Sequence, residues 1–158
     1  MLILLDIDGV MLPANSWSKP EILEDGFPMF NSRSVRALHK ILAETNASLL
    51  LTTSHKGKYT ATQWRNIFKV RGIDAGKIDR LPSNSLEYSR KDEILDWYRT
   101  KHVPDEDFVI LDDDKKLNDL PIDIKNNLVL TSASVGLTDE LADNAISILK
   151  RKQPHYSN

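Results

Sequence analysis

The sequence predicts an α/β fold: a three-layer, doubly wound, Rossmann-like parallel sheet. Three observations lead there. Short apolar runs without alternation recur four times along the 158 residues, the pattern of strands covered on both faces. Stretches with helical spacing separate them, so strand and helix alternate from end to end, as right-handed crossovers require. Each run also stops at a polar residue, and in such sheets ligands bind beyond the carboxyl ends of the strands.

The first run, Leu2 to Leu5, ends at Asp6. Residues 12 to 30, with Pro13, Pro20, Gly26 and Pro28, read as a loop over the carboxyl edge. Val35, Leu38, Ile41 and Leu42 then share a helical face, with Asn31 or Ser32 as N-cap. Leu49 to Leu51 form the second run, before Thr52, and Trp64, Ile67 and Phe68 mark a helix that ends at Gly72. Ile94, Leu95, Trp97 and Tyr98 mark a third helix; Phe108 to Leu111 and Leu128 to Leu130 are the remaining runs, before Asp112 and Thr131. A last helix starts near Thr138, carries Asp139 and Glu140 in its first turn and turns Leu141, Ala145, Ile148 and Leu149 inward. Residues 1–150 suit one domain, and 151–158, with Pro154, a flexible tail.

Composition narrows the chemistry. The chain has no cysteine, which excludes disulfides, thiolate zinc sites and cysteine nucleophiles and leaves oxygen or histidine to hold any metal. The apolar start runs into Asp6 with no basic region before it, unlike a signal peptide. No apolar run approaches the roughly 20 residues of a membrane span, so a soluble, cytoplasmic protein with no membrane partner is expected. The net charge of -2 hides two extremes. From Ser54 to Arg80 there are seven basic residues (Lys56, Lys58, Arg65, Lys69, Arg71, Lys77, Arg80) against Asp74 and Asp79; from Asp105 to Asp123, eight acids stand against Lys115 and Lys116. These are two solvated faces, or else a basic surface for a polyanion beside an acidic cation pocket.

The strongest local signal is Leu4-Leu5-Asp6-Ile7-Asp8-Gly9-Val10. Two acids two residues apart, where a strand gives way to a glycine turn, can aim both carboxylates into one pocket while the backbone between them offers a carbonyl. An isolated pair of this kind can equally be a capped turn. Here Asp112, Asp113 and Asp114 follow another strand, and acids crowded at one sheet edge repel unless a cation lies among them. Mg²⁺ is the expected ion, with Asp112 and Asp113 as its natural ligands and Asp114 or Asp119 in reserve.

Asp6-Ile7-Asp8-Gly9-Val10, Leu51-Thr52-Thr53-Ser54, Lys91, and Ile110-Leu111-Asp112-Asp113 resemble, in that order, the four motifs of the haloacid-dehalogenase-like (HAD) superfamily of phosphohydrolases. The spacing of Leu111-Asp112-Asp113-Asp114, Leu128-Val129-Leu130-Thr131 and Val135-Gly136-Leu137-Thr138 is similar to the small HAD domains of bacterial Swiss Army knife RNA-repair proteins. The resemblance implies Asp6 as the nucleophile that forms an aspartyl-phosphate and Asp8 as general acid and base. It implies Mg²⁺ held by Asp6, the Asp8 carbonyl and Asp112 or Asp113. An acid at Asp8 points away from carbon–halogen cleavage.

The phosphate-binding hydroxyl is Thr53 or Thr52, with Thr53 preferred. The basic residue is Lys91, with Arg90 as competitor, and Lys56 is close enough in sequence to approach. His55 reads as a bystander rather than a substrate contact, and Trp64 as core rather than a stacking platform for a base. The intervals between motifs leave no room for a cap, and an open site suits a macromolecule. The basic stretch therefore points to a terminal phosphate on RNA or DNA. The rivals are a phosphatase for nucleotides or other small phosphate esters and a non-catalytic module that binds phosphate or nucleic acid.

Overall fold

Five parallel strands form one sheet in the order β3-β2-β1-β4-β5 in the computed structural model, which describes residues 1–14, 19–83 and 88–151. In chain order the elements are β1 (Leu2–Leu5), α1 (Ser32–Thr45), β2 (Ser48–Leu51), α2 (Ala61–Val70), β3 (Ile78–Arg80), α3 (Arg90–Thr100), β4 (Phe108–Asp112), α4 (Ile122–Lys125), β5 (Leu128–Leu130) and α5 (Asp139–Leu149). Single 3₁₀ turns lie at Lys56–Lys58 and Lys115–Asp119. The chain winds outward from β1 through β2 to β3, then crosses to β4 and β5, so the order reverses at β1, where doubly wound sheets bind ligands.

Alternation along the strands sorts the core. Ile3 and Leu5 of β1, Leu49 and Leu51 of β2, and Val109 and Leu111 of β4 face the layer built by α1, α2 and α5. Leu4, Phe108 and Ile110 face the opposite layer of α3, α4 and the second 3₁₀ turn. Leu5 lies level with Leu51 on one side and Leu111 on the other. One step further, Asp6, Thr52 and Asp112 therefore stand in a row on the α3 side. The Asp6 amide donates to the Leu111 carbonyl at 3.0 Å and the Thr52 amide to the Leu5 carbonyl at 3.0 Å, which carries the pairing that far.

The helix ends follow the chemistry of their caps. The Asn31 side chain accepts from the Arg33 amide at 2.9 Å, and Thr138 accepts from the Leu141 amide at 3.2 Å. Reciprocal capping boxes start α2, between Thr60 and Gln63, and α3, between Ser89 and Asp92; each satisfies two amides that helix geometry leaves free. Beyond α2, Gly72 takes φ +86°, a conformation an L side chain rarely adopts. On α5 the buried residues are Ala142, Ala145, Ile146 and Leu149, with the expected Leu141 and Ile148 only flanking the core.

The four apolar runs are strands, and β3 is a fifth that the pattern did not reveal. Of its three residues only Ile78 is buried, because an edge strand has one neighbour and a short one little to cover. The expected loop at 12–30 includes residues 15–18, outside the described residues. Its later part folds back on itself: Ile22 pairs antiparallel with Pro28, the Leu23 amide donates to Phe27 at 3.0 Å and the Met29 amide to Glu21 at 2.7 Å. Buried Arg71, just past α2, holds it. Its guanidinium donates to both Asp25 carboxylate oxygens at 2.6 and 2.9 Å and to the carbonyls of Phe27, Pro28 and Ile67. No separate cap domain is present among the described residues. Of the expected tail, Arg151 donates to the Asn126 carbonyl at 3.3 Å, and 152–158 lie outside the described residues. No described helix is long and apolar enough to cross a membrane.

Candidate active site

Three carboxylates meet where β1 and β4 end. Asp6, Asp112 and Asp113 each bring an oxygen within 4.8 Å of the others, with Asp6 5% exposed and Asp112 wholly buried. Gly9 makes room for them. It takes φ +83° in the turn after β1, and any Cβ there would occupy the space of the Asp113 carboxylate. That turn is tied at its back by Thr131, whose hydroxyl donates to the Gly9 carbonyl at 2.6 Å, and by the Leu137 amide, which donates to the Val10 carbonyl at 2.8 Å.

Arg90, at the first turn of α3, reaches the cluster. Its guanidinium lies 2.6 Å from Asp112 Oδ2 and 3.3 Å from Asp6 Oδ2. Burial, reinforced by Asp112, pushes the Asp6 carboxyl up to about 8 against the lowering pull of Arg90. Burial also raises Asp112, opposed by Arg90 and by the Asp114 amide that donates to it. One guanidinium thus meets two of the three carboxylates, and the repulsion left among the three favours a further cation. The donors are all hard carboxylate oxygens, the set that Mg²⁺ takes. Asp114 instead accepts from the Lys116 amide at 3.0 Å and caps a 3₁₀ turn, and Asp119 is exposed.

The basic residue at the carboxylates is therefore Arg90 and not the preferred Lys91. Glu93, Ile94 and Trp97 are the buried stripe of α3, and at 100° per residue Arg90 falls in the middle of that stripe while Lys91 falls on its flank. Among the described residues the Lys91 side chain has no ion pair. The apolar stripe read from the sequence, Ile94, Leu95, Trp97 and Tyr98, spans both positions, so the packing of α3 made this distinction.

Of the two threonines, Thr52 stands in the row with Asp6 and Asp112. Both are fully buried, but the Thr52 hydroxyl has no hydrogen-bond partner, whereas Thr53 Oγ1 accepts from the His55 amide at 3.3 Å. A buried hydroxyl without a partner is costly in a fold unless a ligand completes it. This geometry favours Thr52 over the preferred Thr53; which hydroxyl faces the substrate side follows from strand register, which one strand's residues do not disclose.

Asp8, two residues past Asp6, belongs to a different part of the site. Its carboxylate stands apart from the three-acid group, with a side chain 45% exposed, and meets His55 Nε2 at 2.7 Å. His55, expected to be a bystander, is thus joined to Asp8; it sits on an irregular turn, where no periodicity signals a contact. Lys56 does not approach the cluster: it is buried against Glu93, 2.7 Å away. Trp64 is wholly buried and donates to the Lys56 carbonyl at 3.1 Å, so it is core and offers no face to a base.

The basic stretch loses two of its charges in the same way, since Lys56 and Arg71 are both buried and paired. Arg65 donates to the Gly76 carbonyl at 3.2 Å, and Lys77 follows at the amino end of β3, far along the sheet from the carboxylates. Lys58 and Arg80 remain at the carboxyl edge. A cavity of about 860 Å³ opens at the opposite, amino end of the sheet, between Met1, Tyr98 and Asp123. Its lining includes His102, Asp105, Glu106, Asp107 and Asp123, but among the described residues only Asp6, Asp112 and Asp113 draw ligand atoms close enough to hold one ion, and they lie where a doubly wound sheet presents ligands.

The family model for the HAD domain in Swiss Army Knife RNA repair proteins matches residues 2–142. The match spans every element from β1 into α5 and all the site residues described above, and it supports a HAD-type phosphohydrolase in the broad sense. No curated protein matches the chain.

Proposed function

This chain belongs to the family of HAD domains in Swiss Army Knife RNA repair proteins, and from that premise we propose that it is a Mg²⁺-dependent phosphomonoester hydrolase. It works through an aspartyl-phosphate, on the terminal phosphate of a nucleic acid. The observation that carries the reading is the pairing of buried Asp6, gathered with Asp112 and Asp113 and bonded to Arg90, with half-exposed Asp8 two residues on.

The two acids have opposite tasks. Asp6 attacks phosphorus through a carboxylate oxygen as the ester P–O bond breaks, and the proton of the Asp8 carboxyl passes to the departing oxygen. Water then attacks the phosphorus of the aspartyl-phosphate and gives its proton to Asp8. The bond to Asp6 breaks and inorganic phosphate leaves. Arg90 favours the anionic form of Asp6 that attack requires, and the free Thr52 hydroxyl is available to a phosphoryl oxygen. Asp6, Asp112, Asp113 and the Asp8 carbonyl would hold Mg²⁺, which when bound supplies positive charge against the phosphoryl oxygens.

The mechanism is tested by Asp6→Asn, expected to abolish Mg²⁺-dependent phosphate release from any substrate the parent cleaves; retained turnover would refute it. The substrate is tested by comparing 3′- and 5′-phosphorylated RNA and DNA oligonucleotides with free nucleotides, with faster release from oligonucleotide ends expected. The burial of Lys56 and Arg71 favours the second reading, a nucleotide or small-ester phosphatase, because it leaves less charge at the site for a polyanion. Faster turnover of nucleotides would select it.

A further inference from the structure

We propose that His55 is a positioning residue for proton transfer: it engages one oxygen of the Asp8 carboxylate and reserves the other for the chemistry. This rests on the reading of Asp8 as general acid and base. A half-exposed aspartate samples several rotamers unless something holds it. Among the described residues the Asp8 carboxylate has one side-chain partner, His55 Nε2, 2.7 Å from Oδ2.

His55 is itself held at its backbone and at its ring. Its backbone amide donates to Thr53 Oγ1 at 3.3 Å, and its carbonyl accepts from the Lys58 amide at 2.9 Å, which fixes the turn that leaves β2. Its ring stands edge to face on Phe27, 5.6 Å between centroids at 86°. Phe27 is 4% exposed and anchored in turn, its amide donating to Asp25 and its carbonyl accepting from Arg71 at 2.7 Å. The ring thus reaches across from β2 to the turn after β1 on a rigid support, as precise placement of a reacting group requires.

The consequence is a division of labour within one carboxylate. With Nε2–H donating to Oδ2, the proton of the Asp8 acid resides on Oδ1. That oxygen delivers it to the ester oxygen as the P–O bond breaks and takes one from water in the second displacement. Loss of His55 frees the carboxylate to rotate, which harms proton delivery more than it harms attack by Asp6.

Leaving groups separate those two effects. An alkoxide needs a proton to depart, whereas p-nitrophenolate leaves with little help. His55→Ala is expected to lower kcat on a 3′-phosphorylated oligonucleotide or another alkyl monoester by about tenfold or more. The loss on p-nitrophenyl phosphate should be several times smaller, with KM on both within about twofold. His55→Gln, whose amide nitrogen has similar reach, recovers part of the loss and carries the test should the alanine variant fold poorly. Equal losses on the two esters, an effect confined to KM, or no loss on the alkyl ester overturns the proposal. Nitrogen-15 spectra of the His55 ring give a readout independent of turnover: Asp8→Asn should shift the Nε2 resonance, and an unmoved resonance overturns the contact. Asp6→Asn is the control for the underlying reading; if it retains turnover on both esters, the phosphohydrolase mechanism fails rather than the contact.

Discussion

Thr52 sets stability against use at a single residue. Its wholly buried hydroxyl has no partner, so Thr52→Val removes an unsatisfied polar group and should leave thermal stability equal to the parent or slightly higher. The same change should lower kcat/KM about tenfold or more, because the hydroxyl proposed to meet the phosphoryl group is lost. Thr53→Val should instead unfold more readily, since the His55 amide loses its acceptor. Melting curves and steady-state kinetics on the two variants check both halves. Arg90→Lys is expected to cost activity, since one guanidinium nitrogen at the end of the side chain meets both the Asp6 and Asp112 oxygens and the shorter lysine ends short of that point; Lys91→Ala should cost little. That Asp6, Asp112 and Asp113 gather was legible, because they follow apolar runs that end at the same sheet edge. Arg90 and His55 were not, because the apolar stripe of α3 spans both Arg90 and Lys91 and turn geometry has no period.

Between elements, two ion pairs set how the loops meet the sheet, one buried on both sides and one on the Arg71 side alone. Lys56, on the turn after β2, is joined to Glu93 on α3, both under 9% exposed. Breaking the pair by Lys56→Met leaves a buried charge and should cost about 3–5 kcal/mol, while the double change Lys56→Met with Glu93→Leu should recover most of it; urea denaturation of the three variants measures this. The Arg71–Asp25 pair fastens the 19–30 loop. The Arg71 guanidinium holds the Asp25 carboxyl below its usual range, so the folded pKa lies under the unfolded one. The contribution is therefore complete above the unfolded value of 3.8 and is lost as pH falls through the folded value. The stability difference between parent and Asp25→Asn should accordingly be present at pH 6 and shrink below pH 4. Neither pair could be read from the sequence: Lys56 and Arg71 looked like members of a basic surface, since composition counts charges without knowing which are buried.

At the scale of the whole molecule, a divalent cation that binds the folded carboxylates and not the unfolded chain stabilises the fold by mass action. Mg²⁺ at a hundred times its Kd should add about 2.7 kcal/mol and raise Tm by several degrees. Chelation should reverse the gain and Asp112→Asn abolish it, as scanning calorimetry would register; an unchanged Tm would argue against a cation site at these acids.

What the sequence determined by itself was the alternation of strand and helix, the parallel sheet and the acids at its edge. These depend on local apolar patterning and on the abrupt change from apolar to polar at each strand end, both of which are properties of neighbouring residues. Tertiary structure decided the rest. Register put Thr52 level with Asp6 and Asp112, helix packing turned Arg90 inward, an edge position hid β3 from the apolar pattern, and burial withdrew Lys56 and Arg71 from the surface. Those choices depend on contacts between segments distant in the chain, where a shift of one residue moves a side chain to the opposite face.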